Sequence, residues 1–285
     1  MPFPIESWWL FAAACGFFGL LIGSFLNVVI HRVPIILQRE DDRYLAERNG
    51  TPAPPSERFD LIAPRSSCPS CGHRITAFEN IPLLSYAWLG GKCSACGARI
   101  GIRYPAIEAL VGLLSIVVAI TLGPAWRTVF ALVFVYFLIA LTFIDADTQL
   151  LPDRLTLPLL WIGLLVNCFG LGFASLSSAV LGVAAGYLSL WLVYWLFKLA
   201  TGKEGMGYGD FKLLAAIGAW LGWEMLPLVI LLAAVAGALI GIALMIAARR
   251  GKDIPLPFGP YLAIAGLVAL MYGRQLVQSY LALYP

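Results

Sequence analysis

The sequence predicts an all-α polytopic membrane protein with about eight transmembrane helices and a small cytosolic insert that binds zinc through four cysteines. Hydrophobic residues make up 60% of the chain and charged residues only 12%, a composition far from that of a soluble globular domain. Apolar runs long enough to cross a bilayer recur along the chain. Two Cys-x-x-Cys motifs lie in the one long polar segment between them.

Eight apolar runs are the predicted membrane spans, because each is close to the roughly 20 residues that cross a bilayer core. No Lys or Arg precedes the first run, as it would in a signal peptide, so we expect a retained helix. The sixth run is the shortest. The predicted spans are 8–30, 106–123, 128–144, 155–172, 176–198, 212–223, 226–247 and 260–281.

The distribution of basic residues predicts the orientation, because cytosolic loops are rich in Lys and Arg. Ten of them lie in the loop 31–104, whereas threading eight spans leaves Arg127 and Arg274 on the outer side. We therefore expect an external N-terminus and a cytosolic loop. Arg249, Arg250 and Lys252 should also be cytosolic. Because the basic residues are spread over several loops, they predict no surface for DNA or RNA.

The loop divides the chain into three parts: a first transmembrane helix (1–30), the cytosolic loop (31–104) and a transmembrane part (105–285). The first section of the loop, residues 39–60, is charged and rich in proline, and the TPAPPSERFD stretch within it predicts poor order. A short repeat follows, CPSCGHRI at 68–75 and CSACGARI at 93–100. We expect two knuckles that face each other.

The repeated cysteines predict a closed tetrahedral zinc site, since each Cys-x-x-Cys turn supplies two thiolates. Such a site has no open position for water and would be structural. Two disulfides or a redox pair are the alternatives, but a reducing cytosol and the lack of a βαβ pattern disfavour them. His73 is expected to be solvated, and Cys15 and Cys168 to pack in apolar spans. The expected ligands are Cys68, Cys71, Cys93 and Cys96.

Two aspartates lie at the expected cytosolic ends of spans, where ionisable groups are costly and usually functional. Asp145 ends the third span with no helix directly after it, so helix capping does not explain it. Asp210 and Asp153 both precede apolar runs and could be N-caps, and capping is the preferred role for Asp153. Asp210 instead follows alternate glycines, Gly205, Gly207 and Gly209, which would allow a close approach of substrate or unusual backbone conformations.

The chemistry that fits two converging, shielded carboxylates is that of an aspartic protease. One carboxyl group stays protonated while the other, as a base, activates water for attack on a peptide carbonyl. The chain has only His31 and His73 as histidines, and neither lies in a span. It contains no Gly-x-Ser-x-Gly or His-Glu-x-x-His motif, so serine and zinc proteolysis have little support.

GMGYGD at 205–210 resembles the Gly-x-Gly-Asp signature of intramembrane aspartyl proteases, and nearly the whole chain resembles bacterial type IV prepilin peptidases. In that family the first catalytic aspartate is followed by six residues and then Pro-Asp or Pro-Asn, which selects Asp145 over Asp147. The Asp of the glycine motif is Asp210. The supporting segments are GSFLNVVIHRVP (23–34), the two knuckles, ENIPLLSY (79–86), RYPAIE (103–108), IDADTQLLPD (144–153) and KEGMGYGDFKLLA (203–215).

The resemblance implies a location in the bacterial inner membrane and cleavage of type IV prepilins and type II secretion pseudopilins. The cut would follow a glycine at the end of a short basic leader, on the cytosolic side. Many family members also methylate the new N-terminus with S-adenosylmethionine, in the region of the cysteines. The chain has no Gly-x-Gly-x-x-Gly loop after a strand, so the residues that would bind this methyl donor are unassigned.

Several residues keep alternative interpretations. Asn27 could bridge helices or touch substrate. Glu79 and Glu108 could bind a substrate amine, but pairing with Arg74 and Arg103 is the preferred role. Lys212 is expected to be an interfacial anchor that could also tune Asp210.

Acidic Glu204, Asp147 and Asp153 would attract a basic leader. Two other function classes remain open. A proton-coupled transporter could use the same carboxylates, although no inverted repeat is visible, and a non-catalytic scaffold could recruit a partner through its zinc loop.

Overall fold

The computed structural model describes residues 5–52, 58–248 and 257–283, and it confirms an all-helical fold in this part of the chain. Two short 3-10 turns and two isolated β-bridges accompany the helices. The helices are α1 (Ile5–Asn49), α2 (Leu84–Trp88), α3 (Arg103–Leu122), α4 (Trp126–Thr148), α5 (Asp153–Cys168), α6 (Leu176–Thr201), α7 (Tyr208–Leu221), α8 (Leu226–Ala248) and α9 (Gly259–Leu281).

Eight of these helices occupy the eight predicted spans, and six are long and apolar enough to cross a membrane. Helices α5 and α7, with 16 and 14 residues, are shorter. Six helices therefore support the prediction of a multi-pass membrane protein. The count of eight spans remains a prediction. The six segments are Trp8–Asn49, Arg103–Leu122, Trp126–Thr148, Leu176–Thr201, Trp223–Ala243 and Gly259–Leu281.

The chain divides into two compact units, Met1–Pro124 and Ala125–Pro285. In the first unit α1 packs along α3, because glycines allow the two backbones to approach closely. A Cβ atom on Gly23 would lie 2.8 Å from the Cα of Glu108. The Asn27 amide donates a hydrogen bond to the Tyr104 carbonyl at 3.2 Å. Asn27 thus bridges the segments of α1 and α3, which is one of its two predicted roles.

Helix α1 continues well beyond the predicted end of the first span at residue 30. The segment 35–49 contains no Gly or Pro, and nine of its 15 residues are Arg, Glu, Leu, Gln or Ala, which favour a helix. Gly50, with φ of 65°, ends it, and the Thr51 N–H binds the Ala46 carbonyl at 2.9 Å, as in a Schellman motif. The prediction of poor order concerned TPAPPSERFD at 51–60, of which residues 53–57 lie outside the described part.

The second unit is built around α7, which packs against α5, α6 and α9. Every residue from Leu213 to Leu221 is buried. Gly218 lies directly against the carbonyl of Gly182 in α6, where no Cβ atom would fit. The Trp220 indole N–H donates to the Leu159 carbonyl of α5 at 2.8 Å. The predicted basic segment with Arg249, Arg250 and Lys252 lies outside the described residues.

Candidate active site and metal site

Asp145 lies in the last turn of α4, and its side chain is buried. The helix ends at Thr148 because Gln149 adopts a left-handed conformation, and the N–H of Gln149 binds the Asp145 carbonyl at 2.8 Å. The Asp145 carboxylate Oδ2 accepts a hydrogen bond from the backbone N–H of Gly259, at 3.0 Å. Asp147, two residues later, is exposed. Burial therefore distinguishes the two aspartates of this segment.

Asp210 lies inside the first turn of α7. The predicted span began at residue 212 and had placed Asp210 before the helix. Gly207 is the residue before the helix, and no side chain caps it. The Asp210 side chain is buried, and its Oδ1 has no hydrogen-bond partner among the described residues. A buried polar atom without a partner is costly and calls for a functional explanation. Because Gly207 occupies the N-cap position of α7, the N-cap role considered for Asp210 is wrong.

Asp145 lies where α4 ends and Asp210 where α7 begins, and the two carboxyl groups are close enough to interact electrostatically. Leu151, in the turn between α4 and α5, fills the space between the motif and α9. A Cβ atom on Gly209 would lie 2.7 Å from the Leu151 Cβ, and one on Gly259 would lie 3.2 Å from its Cδ1.

The three glycines before Asp210 have different surroundings, and none of them has positive φ. A Cβ atom on Gly205 would lie 2.9 Å from the Phe197 ring, and Gly209 lies against Leu151. Gly207 has room, since the atom nearest to a Cβ placed there is Asp210 Oδ2, 3.9 Å away. The expected unusual backbone conformations are therefore absent. A role of this loop in substrate approach stays a prediction.

Asp153 is the first residue of α5 and does not cap it, so the predicted capping role is wrong. Pro152 precedes the helix, and the Asp153 carboxylate instead binds the Lys212 ammonium, with N–O distances of 2.6 and 2.8 Å. This pair joins the N-terminal parts of α5 and α7. Glu204 is similarly paired with Lys198, at 2.8 Å, and that bond lowers the pKa of Glu204.

An aromatic cluster beside the motif was not predicted from the sequence. Tyr194 of α6 and Tyr208 of α7 lie against Phe211, with ring centroids 5.8 and 5.3 Å away. The Lys198 ammonium donates to the Tyr194 hydroxyl at 3.2 Å. Gly259 and Leu151 were also missed. The Gly-Pro pair at 259–260, at the start of an apolar run, was the available signal for Gly259.

The four predicted metal ligands come together in the first unit. Their sulfur atoms all lie within 4.8 Å of one another. The Cys68–Cys96 and Cys71–Cys93 sulfur distances are 3.8 and 3.9 Å, too long for disulfides. A tetrahedron with Zn–S bonds of about 2.3 Å has edges of about 3.8 Å, so the cluster fits zinc. Backbone N–H groups of Ser70 and Cys71 lower the pKa of the Cys68 thiol to about 6.

The two knuckles have the same backbone hydrogen bonds, as their sequence repeat predicts. The N–H of Cys68 binds the His73 carbonyl at 2.9 Å, and that of Cys93 binds the Ala98 carbonyl at 2.8 Å. A glycine with positive φ follows each second cysteine, Gly72 with 73° and Gly97 with 71°. This conformation is rarely open to other residues, which explains the glycine in each repeat.

A polar cluster links the knuckles. Hydrogen bonds from Ser94 and from the backbone and hydroxyl of Thr76 hold the pKa of Glu79 at about 2. The half-buried His73 ring lies 3.3 Å from the Glu79 carboxylate and from the Ser94 hydroxyl. His73 is therefore not the solvated imidazole predicted, and Glu79 does not pair with Arg74. The Glu108 carboxylate accepts the N–H of Leu83 at 2.9 Å.

Two protein families match the chain in sequence. The bacterial peptidase A24 N-terminal domain matches residues 17–122, which include the four cysteines. The type IV leader peptidase family matches residues 132–242, which include Asp145 and Asp210. No solved structure matches the chain.

Curated relatives named prepilin leader peptidase/N-methyltransferase match nearly the full chain. The protein from Aeromonas salmonicida is 56% identical over 280 residues, which are 96% of this chain and 95% of the relative. The protein from Pseudomonas aeruginosa is 54% identical over 264 residues, 92% and 91% of the two chains. The protein from Dichelobacter nodosus is 54% identical over 270 residues, 93% of each.

Proposed function

Because this chain belongs to the type IV leader peptidase family, we propose that it removes prepilin leaders with Asp145 and Asp210 as its catalytic dyad. It is a membrane-embedded peptidase, and its relatives' names add N-methylation of the new N-terminus. The observation that carries the dyad is the partnerless, buried Asp210 Oδ1 beside the buried Asp145. The family match gives no support to the transporter alternative.

The arrangement suits acid–base hydrolysis of a peptide bond. Two like carboxyl groups in a site of low polarity cannot both ionise easily, so the pair holds one proton. The ionised member takes a proton from water, which attacks the scissile carbonyl carbon. The protonated member donates to the carbonyl oxygen. The buried walls of α4 and α7 keep other water away from the dyad.

The proposed substrates are type IV prepilins and pseudopilins, cut after a glycine at the cytosolic face of the inner membrane. Gly207 leaves space beside Asp210 Oδ2, through which an extended substrate backbone would reach the dyad, with Gly205 and Gly209 shaping the loop. The apolar helix of the precursor would lie along the spans. The exposed carboxylates of Glu204 and Asp153 are already paired with lysines, so their attraction for a basic leader is partly neutralised.

Zinc is the proposed occupant of the four-cysteine cluster, held by Cys68, Cys71, Cys93 and Cys96. A closed four-thiolate site holds a small fold together and supplies no catalytic water. The proposed methyl donor is S-adenosylmethionine. Among residues 58–124 the structure has isolated bridges and no extended strand, so a donor site of the strand–glycine loop–helix type is absent there.

The test is mass spectrometry of a prepilin incubated with membranes that carry the wild-type chain, Asp145→Asn or Asp210→Asn. Asn keeps the size of the side chain but cannot transfer the proton, so we expect a loss of leader removal of about a hundredfold or more in each variant. Asp147→Asn is the matched control, because Asp147 is exposed two residues from Asp145. It should keep the wild-type kcat, and any loss should fall on KM through weaker attraction of the basic leader. An added methyl mass on the wild-type product measures the second activity.

Retained cleavage by either folded dyad variant would contradict the assignment of the dyad. Folding is checked independently by the elution profile in detergent and by zinc content. Loss of cleavage in Asp147→Asn, with Asp145→Asn active, would move the first catalytic position from residue 145 to residue 147.

A further inference from the structure

The start of α9 contributes a backbone group to the dyad that the catalytic motifs do not include. Gly259 lies outside residues 132–242, the segment matched by the leader peptidase family. It is the first residue of α9. Its N–H donates to Asp145 Oδ2 at 3.0 Å, and this bond is buried.

Gly259 carries the available N–H donor at this helix end. The first N–H groups of a helix have no partner inside it and carry partial positive charge. Pro260 has no N–H, and those of Tyr261 and Leu262 bind the Phe258 carbonyl at 3.1 and 3.2 Å. The N–H of Gly259 is thus the donor that α9 directs to Asp145.

The fit between α9 and Asp145 depends on the absence of a side chain at position 259. A Cβ atom there would lie 2.6 Å from Asp145 Oδ2 and 3.2 Å from its Cγ. It would also lie 3.2 Å from Leu151 Cδ1. Any other residue would push the carboxylate away from the N–H.

Asp210 has different surroundings, and the backbone influence on its carboxyl group, from Gly207, is the weakest of those that act on it. Its Oδ1 is buried and accepts no hydrogen bond from the described residues. A hydrogen bond from a backbone N–H at a helix start favours an ionised carboxylate, whereas burial without a donor favours the neutral acid. The two members of the dyad are therefore not equivalent.

We infer that the Gly259 N–H holds Asp145 as the ionised member of the dyad, so that the shared proton resides on Asp210. This inference rests on the proposed dyad and adds a positioning residue to it. Asp145 is then the base that receives the proton of the attacking water. Asp210 is the acid that protonates the carbonyl oxygen of the scissile bond.

The proton balance closes over one cycle. The water oxygen bonds to the carbonyl carbon, one water proton passes to Asp145, and the Asp210 proton passes to the carbonyl oxygen. When the carbon–nitrogen bond breaks, Asp145 returns its proton to the leaving nitrogen and Asp210 recovers one from a hydroxyl of the intermediate. The carboxyl and amine products separate with the dyad in its starting state.

The helices packed against α4 carry the other charged and titratable groups of this region. Helix α7 brings Asp210, the group that interacts with Asp145. Helix α5 begins with Asp153, which is paired with Lys212 of α7, and Arg154 is its second residue. Helix α9 carries Tyr261 in its first turn and Arg274 near its far end. Asp147 follows on α4 itself. The hydrogen bond that the structure gives the Asp145 carboxylate comes from Gly259, so this N–H is the donor to remove.

The test compares Gly259→Ala with Gly266→Ala, a substitution in the same helix whose Cβ would meet Ile217 at 3.2 Å and not the dyad. The rate of leader removal from a synthetic prepilin is measured against pH. We expect Gly259→Ala to lower kcat by about ten- to a hundredfold, the effect of one hydrogen bond to a charged group. The acid limb of its pH profile should move to higher pH by about one unit or more, because protonation of Asp145 becomes easier.

A second variant removes the N–H without adding atoms: an amide-to-ester replacement at Gly259. It keeps the test valid if Gly259→Ala does not fold, and it should move the acid limb in the same direction. A wild-type rate and an unmoved acid limb in the ester variant would overturn the inference. Retained cleavage by Asp145→Asn or Asp210→Asn would instead overturn the proposed dyad, so the two failures are distinguishable.

Discussion

At the scale of single residues, the two proposed catalytic aspartates differ in their partners. Asp145 accepts a backbone hydrogen bond from Gly259, whereas Asp210 Oδ1 is buried without one. Gly207 adds an open space beside the other oxygen of Asp210. Gly207 thus leaves room in the motif, whereas Gly205 and Gly209 pack tightly against neighbouring side chains. The sequence, which shows glycine at all three positions, does not reveal this difference.

Gly207→Ala should lower leader removal without destabilising the protein. Position 207 has φ of −84° and no atom closer than 3.9 Å to an added Cβ, so alanine fits. The new methyl group would occupy the space beside Asp210, and we expect kcat/KM to fall by about tenfold, equivalent to about 1.4 kcal/mol. Thermal unfolding in detergent and prepilin cleavage are measured together.

The matched variant is Gly209→Ala, whose Cβ would lie 2.7 Å from Leu151 Cβ. It should lower the unfolding temperature as well as the rate. Normal cleavage by a stable Gly207→Ala variant would contradict a role of this space in substrate approach.

At the scale of elements, α7 explains how the site is held. Its 14 residues span about 21 Å, less than the roughly 30 Å of a bilayer core. Nearly all of its residues are buried, and it is joined to α5 by the Trp220–Leu159 hydrogen bond and by two hydrogen bonds from Asn167 to its carbonyls. A short helix enclosed by others can place Asp210 at a fixed depth.

Gly218→Ala should destabilise the second unit. Its Cβ would press on the Gly182 backbone where α6 and α7 cross, and backbone atoms cannot move aside as a flexible side chain can. Overpacking of this kind costs about 1–3 kcal/mol. The comparison is Gly237→Ala on α8, where the nearest atom is 3.3 Å away in the Tyr261 ring. Equal unfolding temperatures for the two variants would show that the crossing tolerates the extra methyl group.

At the scale of the whole molecule, the chain consists of two compact units, each with its own chemistry. The first, Met1–Pro124, carries the four-cysteine cluster, and the second, Ala125–Pro285, carries the two aspartates. The family matches fall into the same two regions. We therefore expect loss of metal to affect the local order of the first unit while the second stays folded.

Removal of the metal tests this division. The purified protein should contain about one zinc ion per chain, and Cys68→Ser should lose it, since a closed site needs all four thiolates. Limited proteolysis of that variant should then cut within 58–102 first and leave α4–α9 resistant. Cys168→Ser is the control, because Cys168 is exposed and lies outside the cluster. Full zinc content in Cys68→Ser would contradict the assigned ligands.

The sequence by itself determined the helical membrane fold, the positions of the eight apolar helices and the cysteine set, because hydropathy and Cys-x-x-Cys spacing are local properties. Motif resemblance selected Asp145 and Asp210. Only the tertiary structure decided their partners, because these come from distant parts of the chain: Gly259 for Asp145, Lys212 for Asp153, and Ser94 for Glu79. Hydropathy also placed the end of the first span at residue 30, whereas α1 continues to Asn49. The residues of this extension are mostly charged or polar, so hydropathy does not detect the helix there.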